Sequence, residues 1–250
     1  MSGETSSNGS PTVVLVHGAF ADASGWNGVI ERLLARGVNV LAPSNPLRGI
    51  ASDSAYIASV LAQVAGPVVL VGHSYGGAVI TNAATDAKNV VGLVYVSAFA
   101  TEEGETLNAV ESGSKDSVLG TALVPRQYPT GNGGTATEFY IDPAKVREAF
   151  AGDLSDEEVA LIGVTQRPIA EAGFSEPGGP PAWKNRPSWA VVGSGDKAAG
   201  ADVVRSMAER AGATITELEG SHVIMVSRPE AVANVIMEAV EAVAHVPVEA

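Results

Sequence analysis

The chain has 250 residues, 46% of them hydrophobic and 17% charged, which describes a globular chain large enough for one sizeable domain or one domain carrying an insertion. A formal charge of −13 without any Lys/Arg cluster argues against nucleic acid and anionic membrane as partners, because both are bound through such clusters. The absence of cysteine excludes disulfides, thiolate metal sites and a thiol nucleophile, and fits a cytoplasmic protein.

The opening "MSGETSSNGSP" has neither a basic start nor an apolar run; residues 1–11 read as a disordered tail, not a secretion signal. No stretch reaches the eighteen or so apolar residues of a membrane span. "TVVLV" from Thr12 is then a first strand. Trp26, Val29, Ile30, Leu33 and Leu34 follow as a helical stripe closed by Gly37. "VNVLAP" is a second strand, and Asp53 starts a helix that stops at Gly66-Pro67. "VVLVG", from Val68, is a third strand with "GGAVITNAAT" as its helix, and "VVGLVYVSAF" is a fourth strand.

After Ala98 the rhythm breaks into polar, Gly- and Pro-containing segments with short helices, one of them opened by the capping box "SDEE" at Ser155. The alternation returns with the strand "SWAVVGSGD", a helix, the strand "ATITELEG", and a closing helix with Ser227 and Glu230 as a second capping box. Short β-branched runs alternating with helical periods predict an α/β fold with a doubly wound, mostly parallel sheet of about six core strands. The core is expected over 12–98 and 187–250, with 99–186 inserted as a lid where ligands bind in such folds.

The chemistry-bearing motif is Gly72-His73-Ser74-Tyr75-Gly76, set between a strand and a helix with no spacer. That context is the one a nucleophile elbow requires: small residues let a tight turn lift Ser74 above the sheet edge. A serine hydroxyl needs a base to take its proton. Of the four histidines, His245 sits near the end of the last helix, His73 reads as a packing residue and His17 ends the first strand. His222, in a loop after the last strand, stands where the order Ser, Asp, His puts the base. Asp196, just beyond the fifth core strand, is the candidate for holding the imidazole, with Glu102 and Glu103 as fallback. An oxyanion site needs two backbone N–H groups, expected from Tyr75 and from Ala19 in the turn "HGAF".

The motifs "HGAF", "GHSYGG", "GSGD" and "GSH" occur in an order that resembles the α/β-hydrolases. The resemblance covers 12–98 and 187–244. It begins at what is usually that fold's third strand, so the two leading strands are expected to be missing. "VLVHGAFADASGW" and "VSAFATEEGE" are similar to the branch of small esterases related to plant methyl esterases and hydroxynitrile lyases. The lyases are expected to carry threonine after the first histidine and lysine after the catalytic one, where this chain has Gly18 and Val223. The resemblance therefore implies a serine esterase acting without metal or cofactor on a small-molecule ester or lactone. A cofactor-free perhydrolase or haloperoxidase, a lyase activity on the same site, and a signalling receptor with a vestigial triad are the alternatives. Phe20, Phe99 and Trp183 are the expected substrate contacts. A lid without an obvious Arg or Lys anchor suggests an uncharged, moderately apolar substrate; the oligomeric state is not legible.

Overall fold

The structure is a computed structural model that describes residues 10–244. Nearly all of the expected tail, and His245, lie outside the described residues.

The main sheet contains strands β1 (Thr12–Val16), β2 (Val40–Leu41), β3 (Val68–His73) and β4 (Val90–Val96) from the first half of the chain. After the inserted region, which contributes β5 (Leu123–Pro129), β6 (Thr135–Ile141) and β7 (Ile169–Ala170), the sheet is completed by β8 (Ser188–Gly193) and β9 (Thr214–Leu218). Its order is β2-β1-β3-β4-β8-β9, and every pairing is parallel. β3 and β4 are buried at every position. Strands covered on both faces must read as unbroken apolar runs, which is why "VVLVGH" and "VVGLVYV" show no alternation.

The covering helices begin with α1 (Asn27–Ala35), α2 (Ile50–Leu61) and α3 (Tyr75–Ala83). The inserted region adds α4 (Leu107–Glu111), α5 (Val146–Ala149), α6 (Asp156–Thr165) and α7 (Glu171–Ser175). The chain closes with α8 (Ala201–Arg210), α9 (Ile224–Ser227) and α10 (Pro229–Val243). α1 packs against α10, and α2 against α3. Because parallel strands must be joined by crossovers, all the strand-to-helix turns gather on one edge of the sheet, and that edge carries Ser74, Asp196 and His222.

Three local expectations need correction. Leu34 is 57% exposed, so the apolar stripe of α1 ends at Leu33. The second helix starts at Ile50, three residues before Asp53, and Asp53 is buried, accepting from the Arg48 amide at 3.0 Å. Ser227 does not cap α10: it ends the short helix α9, while Glu230 is drawn away to Arg32 (2.8 Å) and Arg36 (2.5 Å) on α1. The Ser155 box does form, with Glu158 reaching back to the cap amide.

The inserted region holds an antiparallel sheet, β5-β6-β7, that the sequence reading did not anticipate. Its hairpin pairs Leu123 with Ile141 through to Pro129 with Thr135, closed by "TGNGG", where Gly133 takes φ 85°. Pro125 and Pro129 hide the pattern, yet both are tolerated because β5 is an edge strand.

Candidate active site

β3 ends at His73 and α3 begins at Tyr75, so the whole change of direction falls on Ser74, at φ 54° and ψ −126°. A side-chain-bearing residue in that region costs about 1–3 kcal/mol and persists only when its surroundings over-determine it. Here they do. The Ser74 amide donates to Val96 O (3.3 Å), and its carbonyl accepts from Gly77 N (2.8 Å) and Phe99 N (3.2 Å). A Cβ on Gly76 would stand 2.5 Å from Val16 O, so only glycine lets α3 leave this close to β1. A Cβ on Gly18 would stand 2.7 Å from Ser74 Cβ, so the turn after β1 presses directly on the elbow.

Asp196 follows β8 and is 1% exposed. Its Oδ1 accepts two backbone amides, Ala198 N at 2.9 Å and Ala199 N at 3.0 Å, and Oδ2 meets His222 Nδ1 at 2.8 Å. Since the carboxylate accepts, Nδ1 carries the proton, and Nε2 is left with a lone pair. His222 itself is 1% exposed. Its ring is flanked by His73, with centroids 4.7 Å apart, and by Phe150 at 5.1 Å. Among the described residues, neither Ser74 Oγ nor His222 Nε2 makes a hydrogen bond; such contacts are commonly loose before substrate binds.

His73 does more than fill space. Its Nε2–H donates to the His222 carbonyl at 3.0 Å, pinning the loop that carries the base. Burial, and the His222 ring beside it, hold His73 well below the usual imidazole range, so it stays neutral with Nδ1 unprotonated and unpartnered. His17 is also lowered by burial; Nδ1 donates to Gly18 O (2.9 Å) and Nε2 accepts from Asn45 N (2.9 Å).

The two candidate oxyanion amides stand on either side of this elbow. The Phe20 amide is occupied by Arg167 O at 3.0 Å, whereas the amides of Ala19 and Tyr75 donate to no carbonyl among the described residues. The Tyr75 hydroxyl donates to buried Asp53 at 2.8 Å, which anchors the first turn of α3. Burial raises Asp53 above the ordinary carboxylate value, despite donors from Tyr75, Arg48 and Ser52. Reading Asp53 as a helix start concealed this link, which only the fold brings together.

Of the expected substrate contacts, Phe20 sits at φ 61° with its ring edge-on to Phe150, 6.1 Å between centroids. The Phe99 backbone lies directly behind Ser74 through the amide bond already given. Trp183 is packed near α3, its indole N–H donating to Thr101 O at 3.0 Å and Lys184 stacked over its ring at 5.5 Å. No hydrogen bond or ring contact joins Trp183 to Ser74 or His222 among the described residues. Phe150 of the inserted region, not among the expected contacts, touches both His222 and Phe20. Glu102 pairs with Lys184 at 2.5 Å and has no part in the His222 pairing.

Comparison with known proteins agrees with this architecture. Polyneuridine aldehyde esterase superposes with a TM-score of 0.77 over 92% of this chain and 98% of the other, at 20% identity. A pyrethroid hydrolase from Sphingobium faniae JZ-2 superposes with a TM-score of 0.75 over 93% and 98%, at 23% identity. By sequence, a carbendazim hydrolyzing esterase from Nocardioides sp. (strain SG-4G) is 34% identical over 110 residues, which is 39% of this chain. That aligned stretch spans only 46% of the relative's own length. The alpha/beta hydrolase family matches residues 13–235 from the first strand into the closing helix, and the chain belongs to that family.

Proposed function

We propose that the protein is a serine carboxyl-ester hydrolase working through a covalent acyl-enzyme. Ser74 Oγ attacks the ester carbonyl while His222 Nε2 takes its proton; Asp196 holds the ring and offsets the charge it gains. The amides of Ala19 and Tyr75 receive the oxyanion. The tetrahedral adduct collapses, the alcohol leaves with the proton from His222, and water deprotonated by the same nitrogen then releases the acid and restores Ser74.

The observation that carries this reading is the 2.8 Å contact from His222 Nδ1 to Asp196 Oδ2, which leaves a basic nitrogen beside the elbow that bears Ser74. The relatives that hydrolyse carbendazim and pyrethroids, and the esterase acting on polyneuridine aldehyde, support an ester substrate. Lyase chemistry is disfavoured because Val223, 2% exposed, supplies no cation beside His222. Lys184 pairs with Glu102 and Arg186 Nε donates to Val90 O, so neither offers an anchor for an acidic substrate. Phe20 and Phe150 supply an apolar wall for a small acyl or alcohol group.

Ser74→Ala should abolish turnover of short p-nitrophenyl esters, and a fluorophosphonate should label the wild type at Ser74 alone. Turnover surviving the substitution at the wild-type level would end the proposal. Labelling without turnover of any ester would favour a receptor that has kept its triad.

A further inference from the structure

The loop 219–223, which carries His222, is tied to the core by backbone contacts. Gly195 N, on the loop that bears Asp196, donates to Gly220 O at 2.9 Å, and His73 Nε2 donates to His222 O at 3.0 Å. Arg228 Nε, just before α10, donates to Glu219 O at 3.1 Å. A further tie comes from the inserted region. Ser221, 6% exposed and next to the candidate base, donates its hydroxyl to Asp153 Oδ1 at 2.5 Å.

Asp153 lies on the turn 150–154, which also presents Phe150. The turn follows α5, and Arg147 of that helix fixes it, donating to Leu154 O at 3.0 Å and pairing with Asp156 at 2.6 Å. A Cβ on Gly220 would stand 2.8 Å from Asp153 Oδ2, so the loop runs directly against the carboxylate. Phe150, 2% exposed, packs on the His222 ring with centroids 5.1 Å apart. One turn of the inserted region therefore grips His222 twice, on its ring and through the residue before it. Burial pushes the Asp153 carboxyl up, but the Ser221 hydroxyl and amide help hold it below its ordinary value, so it accepts as a carboxylate at neutral pH.

We propose that Asp153 is a positioning residue for the base: through Ser221 it sets where the His222 ring stands, so the inserted region takes part in the proton transfer besides covering the site. The inference rests on the hydrolase reading and deepens it. Asp196 fixes the tautomer at Nδ1, yet Nε2 makes no hydrogen bond to Ser74 among the described residues. The separation of base and nucleophile is thus set by the placement of the loop 219–223 and not by a direct contact. A misplacement of about 1 Å between reacting groups costs about 10²-fold in rate.

The experiment measures kcat and KM on a p-nitrophenyl ester, and solvent exchange of the His222 Nδ1 proton by NMR. The proteins are the wild type, Asp153→Ala, Asp153→Asn, Ser221→Ala and the double alanine variant, with His222→Gln assigning the resonance by removing it. Asp153→Ala and Ser221→Ala should each lower kcat about 10- to 100-fold, with KM within a few fold. Each should also speed the exchange about tenfold, as expected for loss of a hydrogen bond to a charged group. The double variant should lose no more than either single one, because both remove the same contact. Asp153→Asn keeps an oxygen for the Ser221 hydroxyl and should restore most of kcat.

A role confined to fastening the inserted region would lower the urea midpoint and leave kcat and the exchange rate alone. Unchanged kcat or wild-type exchange in Ser221→Ala would therefore overturn the proposal. That variant trims only a hydroxyl, so it decides the matter even if Asp153→Ala fails to fold. A wild type that hydrolyses no ester, with the exchange still governed by Asp153 and Ser221, would instead sink the hydrolase reading and leave the positioning of His222 intact.

Discussion

Asp196→Asn is the substitution whose effect the geometry defines most sharply. Two backbone amides, Ala198 and Ala199, point at Oδ1 from 2.9 and 3.0 Å. They can be satisfied only by an oxygen, so the asparagine must keep its carbonyl there and turn its NH2 toward His222. An NH2 facing Nδ1 forces the proton of the neutral imidazole onto Nε2, the nitrogen that has to accept from Ser74. The alternative rotamer aims two N–H donors at two amides in a site 1% exposed, at a cost of several kcal/mol.

The ring is therefore held in the wrong tautomer with its position unchanged. In serine hydrolases arranged this way, that exchange lowers kcat about 10⁴-fold, or about 5 kcal/mol of transition-state stabilisation. Stability should barely move, because a buried charge is exchanged for a neutral group of the same shape. The assay is kcat and KM on a p-nitrophenyl ester from pH 6 to 10, together with a urea titration. The expected result is a collapse in kcat, KM within a few fold of wild type and an unchanged unfolding midpoint. A variant retaining kcat within tenfold of wild type would refute the assignment of Asp196, and with it the tautomer argument.

Two further substitutions test the supports of the site. Because burial raises the Asp53 carboxyl above its ordinary value of 3.8, the folded chain binds more protons than the unfolded chain between the two values. The contribution of Asp53 to stability is thus fully present below pH 3.8 and is lost as pH rises through the folded value. Asp53→Asn can still accept from Tyr75, and should flatten the pH dependence of urea stability above pH 4; an unaltered slope would contradict the burial argument. Ser97→Gly removes a buried hydroxyl without a partner at a residue with φ 43°, and should raise stability by about 1 kcal/mol in the same titration. A less stable variant would mean that the hydroxyl has a role the geometry does not reveal.

The core was legible because parallel strands buried on both faces leave a signature that survives any side-chain detail: an apolar run, a turn, an amphipathic period. The nucleophile was legible for a related reason, since a glycine is required wherever backbones touch, and Gly72, Gly76 and Gly77 advertise that crowding in the sequence. What could not be read were contacts made across the fold. Asp53 and Tyr75 are 22 residues apart and look unrelated until α2 packs on α3. Phe150 reaches His222 only through the path of the inserted region. The β5–β6 hairpin had a local signal in "TGNGG", masked by the prolines that an edge strand accommodates.

Backbone strain shows the same division between what is local and what is not. Among the described residues, four non-glycine residues take positive φ: Phe20, Leu47, Ser74 and Ser97. Each lies in the connection leaving one of the first four strands, β1, β2, β3 and β4 in turn, on the edge where the candidate triad sits. At about 1–3 kcal/mol apiece, such residues would be replaced by glycine if only stability mattered. Phe20 keeps its ring against Phe150, Leu47 receives the Ala170 amide through its carbonyl, and Ser74 keeps its hydroxyl. For those three, though not for Ser97, the strain is carried by residues whose side chains or carbonyls bind the sheet edge to the inserted region or perform the proposed chemistry. A sequence marks such positions only where glycine neighbours betray the crowding, as Gly72 and Gly76 do on both sides of Ser74; for Ser97, with no glycine near it, the cost is visible only once the chain has folded.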